Sequence, residues 1–257
     1  MWKRLTHPNI LPLLGITISP HPQLISDLMP GNLRDYLGRN PEADRLKLVD
    51  IPPFAFIGLS SHHKLFGLAE GLNYLHSSNV IHGGLQGVRG CSKSRLITIL
   101  TSGQSNILVD HVGHVRIAGF GLTTLLLDTS PHHSYNLRWT APEILGDNTK
   151  PYTKQADIFS FAMVMIEVRH GRPTTCRTLV DRCFVSMQIF NGGWAPFHPI
   201  TASRAKAWIL DGKRPPRPKH PAFTEDLWRL MQNCWDQDPQ SRPAVSNVLR
   251  SVFRSFR

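Results

Sequence analysis

Between Ala156 and Val168 the chain is apolar nearly all the way round a helical wheel, with Asp157, Ser160 and Glu167 the only polar breaks. A helix apolar on one side can lie on a surface, but one apolar on every side has to be enclosed by other elements. Its longest strongly apolar stretch, Ile158 to Val168, is far short of the roughly 20 residues that cross a bilayer, so the enclosing material is protein. The start Met1-Trp2-Lys3-Arg4 carries no signal-peptide pattern. The expectation is therefore a cytoplasmic protein with no membrane partner. Its 257 residues suffice to bury such a helix in one large domain or two small ones.

Around this helix the pattern alternates between strand and helix periods. Apolar runs at Ile10–Ile18 and Leu24–Met29, broken by prolines and Gly31, read as two strands preceded by the end of a helix. Leu65, Leu68, Ala69, Leu72 and Leu75 recur at helical spacing, which predicts an amphipathic helix over Leu65–Ser77. Short strands follow at Ser105–Val109 and Val115–Ala118, joined by a turn at His111–Gly113. Thr224 is placed to cap a helix over Thr224–Asp236 that turns Leu227, Leu230 and Met231 inward, and Val245–Phe253 reads as a last helix.

The formal net charge of +11 raises a basic, polyanion-binding function as one alternative. The charges are scattered, however. Their densest run, Lys213, Arg214, Arg217 and Lys219, is interleaved with four prolines and reads as a solvated extended loop, so nucleic acid is not the expected partner. Four cysteines show no metal-ligand spacing and read as free or buried thiols.

Several segments, in order, resemble the protein kinase family, and their details point to its tyrosine-kinase-like branch. His7-Pro8-Asn9-Ile10 is similar to the loop between helix C and strand 4 of that family, and Leu24–Met29 to its strand 5 and hinge, with Ser26 as gatekeeper and Asp27, Leu28 and Met29 as hinge residues. Val80-Ile81-His82 and Ser105–Val109 resemble the two ends of the catalytic loop. Gly119-Phe120-Gly121 stands where the family has its Asp-Phe-Gly metal motif. Arg138–Glu143 is similar to the end of the activation segment, Asp157–Phe161 to helix F, and Cys234–Arg242 to the final helices. The resemblance implies an α+β, kinase-like fold. Residues 1–30 would be a remnant of the small lobe with strands 4 and 5, and residues 31–257 the mainly helical large lobe.

Phosphoryl transfer is chiefly positioning and charge stabilisation by a glycine-rich loop, a lysine–glutamate pair, metal-binding side chains and a catalytic Asp. This sequence contains no Gly-x-Gly-x-x-Gly, and by the resemblance it starts within helix C. At the family's His-Arg-Asp it reads His82-Gly83-Gly84, so Gly84 replaces the carboxylate that accepts the substrate proton. Gln86 replaces a lysine, Gly119 replaces the Asp that holds magnesium, and Asn106 is left as a vestigial metal ligand. No catalytic position is intact, no metal site is expected, and no cofactor is expected. Structural positions read as intact: Glu143 with Arg242 as an ion pair, Asp157 as a cap on the catalytic-loop backbone, and Trp2, Leu13, His82 and Phe120 as a hydrophobic spine.

Three segments depart from the family pattern, at 50–64, 88–104 and about 174–195. Pro52-Pro53 cannot sit inside a helix without a cost of about 3 kcal/mol or more, and removing the segments joins their flanks smoothly. The expectation is that they are intron sequence carried in frame; a transcript holding all three contradicts it. The functional expectation is a pseudokinase or truncated kinase homologue that binds proteins. The alternative is an ATP- and Mg²⁺-dependent Ser/Thr or Tyr kinase whose sequence is misrepresented here.

Overall fold

A computed structural model of the chain describes residues 2–17, 23–27, 31–32, 60–86, 106–110, 114–120, 137–147, 149–167, 195–217 and 224–254. The hinge positions Leu28 and Met29, the turn 111–113 and the segments 88–104 and 174–194 lie outside the described residues.

The elements, in chain order, are a short 3-10 helix Trp2–Arg4, β1 Leu13–Thr17, β2 Gln23–Ser26, β3 Gly31–Asn32, α1 Ser60–Ser77, β4 Ile107–Val109 and β5 Val115–Ile117. Then come α2 Pro142–Gly146, α3 Lys154–Glu167, α4 Ala202–Leu210, α5 Glu225–Cys234, a 3-10 turn Pro239–Ser241 and α6 Val245–Arg254. The small strands at the front and the helices behind give the expected α+β architecture. β1 and β2 form an antiparallel pair with Leu13 opposite Ser26, and β3-β4-β5 form a separate antiparallel sheet.

Helix α3 is the centre of the fold. Every residue from Ala156 to Ile166 is buried, including Asp157 and Ser160. α5 packs on both α3 and α6, and α1 packs on β5 and α6. α5 starts as its sequence dictates: the Thr224 side chain accepts from the Leu227 N–H, while Leu227, Leu230, Met231 and Cys234 turn inward. Burial pushes the Cys234 thiol well up, so it is an inert core group.

α1 begins at Ser60, five residues inside the segment expected to interrupt it. Pro52 and Pro53 lie outside the described residues. Three short elements were absent from the sequence reading: β3, α2 and α4.

The chain leading into β1 is tied to β5 by one close approach. Asn9 Nδ2 donates to Val115 O at 2.9 Å, the Ile117 N–H donates to Asn9 O at 2.8 Å, and the Leu11 N–H donates to Ile117 O at 2.9 Å. This seam lies against Gly71 of α1, where an added Cβ would stand 2.8 Å from both Asn9 O and Ile117 Cδ1. Gly71→Ala is expected to destabilise by about 1–3 kcal/mol through overpacking against backbone. Urea denaturation checks this, and a stabilised variant, as helix propensity alone would give, contradicts it.

The outer strand pair is less covered, with Leu14, Ile16 and Ile25 all exposed. No helix among the described residues is long and apolar enough to cross a membrane.

Candidate functional site

The site is built where α1 ends. Its last turn closes at Ser77, and the chain reverses through Asn79, whose backbone is left-handed at φ 55°. Lys154 at the start of α3 clamps this reversal by donating to His76 O at 2.6 Å and to Asn79 Oδ1 at 3.0 Å. The loop Val80–Gln86 then runs over α3 and hangs on Asp157. The His82 N–H donates to Asp157 Oδ2 at 2.8 Å and the Gly83 N–H to Oδ1 at 2.9 Å, while His76 Nε2 donates to Oδ2 at 2.8 Å. Both carboxylate oxygens are thus committed to holding the loop.

His82 is fully buried, and its surroundings fix its tautomer. Nε2 donates to Ala118 O at 3.1 Å, and Nδ1 accepts from the Gly84 N–H at 3.2 Å. Burial holds the imidazole below its ordinary 6.5, against the opposing pull of the Asp157 carboxylate. Folded His82 stays neutral at a pH where unfolded His82 takes up a proton. Its stabilising contribution is therefore complete above about pH 6.5 and is lost as pH falls below that value. His7, also held down by burial and then by Arg116, acts in the same direction. Half-buried Glu70 is raised by burial and opposes them weakly. The urea midpoint is expected to drop between about pH 7.5 and pH 5.5; a flat or rising profile contradicts this.

Gly84 and Gly119 meet across one side chain. Asn106 Nδ2 donates to Gly84 O at 2.7 Å. Its Oδ1 lies 2.6 Å from where a Cβ on Gly119 would stand, and Gly119 itself is left-handed at φ 70°. The Asn106 amide therefore occupies the ground from which a side chain at position 119 would start. Gln86 is buried on the same loop. Among the described residues no three His, Cys, Asp or Glu side chains lie close enough to share a metal ion. One neutral amide, already engaged, is a poor donor set for Mg²⁺, which favours carboxylates and phosphates.

Behind the loop, the Phe120 ring lies 4.7 Å from the Trp2 ring and 6.5 Å from the His82 ring, centroid to centroid. Trp2 is oriented by donating Nε1–H to Leu11 O at 2.9 Å. The structure thus joins three of the four expected spine residues by ring contacts, while Leu13 lies half-buried on β1. Ser26 ends β2 and Asp27 follows it.

On the far side of α3, Arg242 Nη1 and Nη2 donate to Glu143 Oε1 and Oε2 at 2.8 and 2.7 Å. The Arg242 side chain is fully buried and that of Glu143 nearly so. Two cations lie near the Phe159 ring, Arg242 at 5.2 Å and Arg214 at 5.1 Å from its centroid. Burial and then the neighbouring Arg242 hold Arg214 down at about 10, so it is still charged at neutral pH.

A family model for protein tyrosine and serine/threonine kinases matches residues 1–91 and 103–252. The chain belongs to that family. It is similar to the serine/threonine-protein kinase STY17 of Arabidopsis thaliana, 24% identical over 262 residues that cover 99% of this chain and 36% of that protein. To the human tyrosine-protein kinase Srms it is 28% identical over 261 residues, covering 99% of this chain and 43% of that protein. To the tyrosine-protein kinase JAK1 of Danio rerio it is 28% identical over 251 residues, covering 93% of this chain and 18% of that protein. The kinase-like chain thus spans less than half the length of each of these relatives. Its family match skips 92–102, within one of the three departing segments, and runs through the other two.

His76 is the residue of this kinase-like site that sequence reasoning missed. Its signal was present: it follows Leu72 by four, placing an imidazole on the buried face of α1, where it needs a partner.

Proposed function

We propose that this kinase-like domain is a pseudokinase, a cytoplasmic module that does not transfer phosphate and acts by binding other proteins. One observation carries the reading: the Asn106 amide lies against both Gly84 and Gly119, donating to Gly84 O and placing Oδ1 where a side chain at position 119 would start. At the first position a carboxylate would accept the substrate proton, a contribution of about 10²- to 10⁴-fold in rate. At the second it would hold the metal that neutralises developing charge. Glycine supplies neither group, and Asp157 is already committed to the loop backbone. Among the described residues, Gly84, Gln86, Asn106 and Gly119 do not fit a Mg²⁺-bound nucleotide, so ATP and Mg²⁺ are not proposed as cofactors. The three departing segments are proposed to be intron-derived.

A melting-temperature titration with ATP, with and without Mg²⁺, tests the reading. A ligand at about 100 times its Kd stabilises by about 2.7 kcal/mol. No Mg²⁺-dependent rise is expected, and a saturable rise overturns the proposal.

A further inference from the structure

The segment Trp2–Leu11 lies as a strap against α1 and β5, and one histidine builds its turn. His7 Nδ1 accepts from the Asn9 N–H at 3.0 Å, and His7 O accepts from the Ile10 N–H at 3.0 Å. The His7 ring is stacked on Tyr74 of α1, centroids 4.8 Å apart at 25°, and the Tyr74 hydroxyl accepts from the Thr6 N–H at 3.0 Å. Trp2 holds the other end through its bond to Leu11 O and its ring contact with Phe120.

Asn9, which this turn positions, has no room to drift. It bonds β5 through both side chain and backbone. On its other side α1 is pared to glycine: an added Cβ would stand 2.7 Å from Asn9 Nδ2 at Gly67 and 2.8 Å from Asn9 O at Gly71. Contacts packed this closely are kept or lost together rather than stretched. From α1 the His7 ring meets Tyr74, with Glu70 one turn earlier on that helix. From β5 it feels Arg116, which pairs with Asp110 at 2.9 Å, and Asp110 also lies 3.3 Å from His114 Nδ1. On the strap itself Lys3 and Arg4 bring only positive charge. Among the described residues no carboxylate lies within ion-pairing distance of His7.

We propose that His7 is a proton-sensitive latch: proton uptake at Nδ1 breaks its bond to the Asn9 N–H and lets the strap lift off α1 and β5 while the helical core stays folded. A protonated ring keeps its attraction to the Tyr74 face. Both of its nitrogens then donate, however, so Nδ1–H and the Asn9 N–H point at each other, and the new charge meets Arg116 with no carboxylate of its own to offset it. Opening relieves both conflicts. The open strap therefore takes up the proton more readily than the closed one, and acid favours opening. The strap can open by itself because Lys3, Arg4, Thr6 and Pro8 are exposed and only Asn9, Ile10 and Leu11 are buried, the pattern of a segment that opens locally. The device is independent of whether the domain transfers phosphate.

Amide hydrogen exchange of the full chain, followed by NMR at about pH 7.5 and about pH 5.5 and divided by the intrinsic rate at each pH, tests the latch. The Leu11 and Ile117 N–H groups, which close the seam, are expected to be less protected than those of α3. Their protection is expected to fall by up to about tenfold at the lower pH, which lies about one unit below the ordinary histidine value. In His7→Asn, whose Oδ1 accepts from the Asn9 N–H but takes up no proton, that fall is expected to vanish, while α3 amides keep the part of their pH response that comes from His82. Equal protection and equal pH response of seam and α3 amides in the wild type, or a fall that persists in His7→Asn, overturns the proposal. Should that variant fail to fold, titration of the wild-type His7 ring decides. One midpoint for proton uptake and for loss of seam protection supports the latch, and separate midpoints overturn it.

Discussion

Glu143→Ala is expected to destabilise the domain by about 3 to 5 kcal/mol, because it strands a buried guanidinium. Arg242 also donates Nε to Asp236 O at 2.9 Å and Nη1 to Gln155 O at 3.0 Å, so the loop before the last helices and the start of α3 lean on the same side chain. These carbonyls keep part of its hydrogen bonding but none of its charge compensation. Adding Arg242→Met removes the stranded charge and keeps an apolar stem against Phe159. The double variant is therefore expected to regain a substantial part of the loss. Urea midpoints of the three proteins check this. A single-variant loss below about 1 kcal/mol, the size typical of an exposed pair, contradicts the account.

Asp157→Ala is expected to cost at least as much. It leaves the His82 and Gly83 N–H groups and His76 Nε2 without their acceptor, and each stranded buried donor costs about 1–3 kcal/mol. The damage is local before it is global, since the loop Val80–Gln86 hangs on this one side chain. Asp157→Asn, which keeps one acceptor oxygen for three donors, is expected to fall between wild type and Asp157→Ala. Hydrogen exchange at His82 and Gly83 reads the loop directly. Unchanged protection in Asp157→Ala contradicts the assigned role.

Where the sequence was legible, the signal was local or periodic. α3 announced itself by being apolar on every side, α5 by Thr224 three residues before Leu227, and α6 by its start at Val245. Glu143, Asp157 and Arg242 were named from motif resemblance; in the structure Glu143 pairs with Arg242, and Asp157 accepts from the His82 N–H. The misses share a physical cause: they depend on contacts between distant segments. β3 is two residues, Gly31 and Asn32, made a strand only by pairing with Val109 and Leu108. α4 buries only Ala205 and Ile209, too few apolar positions to show a period. The loop from Lys213 looked solvated because the rings that receive its cations, Trp208, Phe159 and Trp228, lie on three different helices. His76 looked unremarked for the same reason, its partner Asp157 being 81 residues away.

The exposed apolar side chains of β1 and β2 mark the least covered part of the described fold. The two glycines lie elsewhere, against Asn106, so the exposure of the front strands does not alter the chemistry available at positions 84 and 119.

Phosphate transfer itself is the most direct measurement. The purified chain, incubated with Mg²⁺ and ATP carrying a radiolabelled γ-phosphate, is assayed for label on itself, on a Ser/Thr-rich protein and on a Glu/Tyr copolymer. Incorporation no greater than in a protein-free control is the predicted result. Label that accumulates with time and disappears in Asn106→Ala would contradict it, because some other carboxylate would then be holding the metal beside that amide.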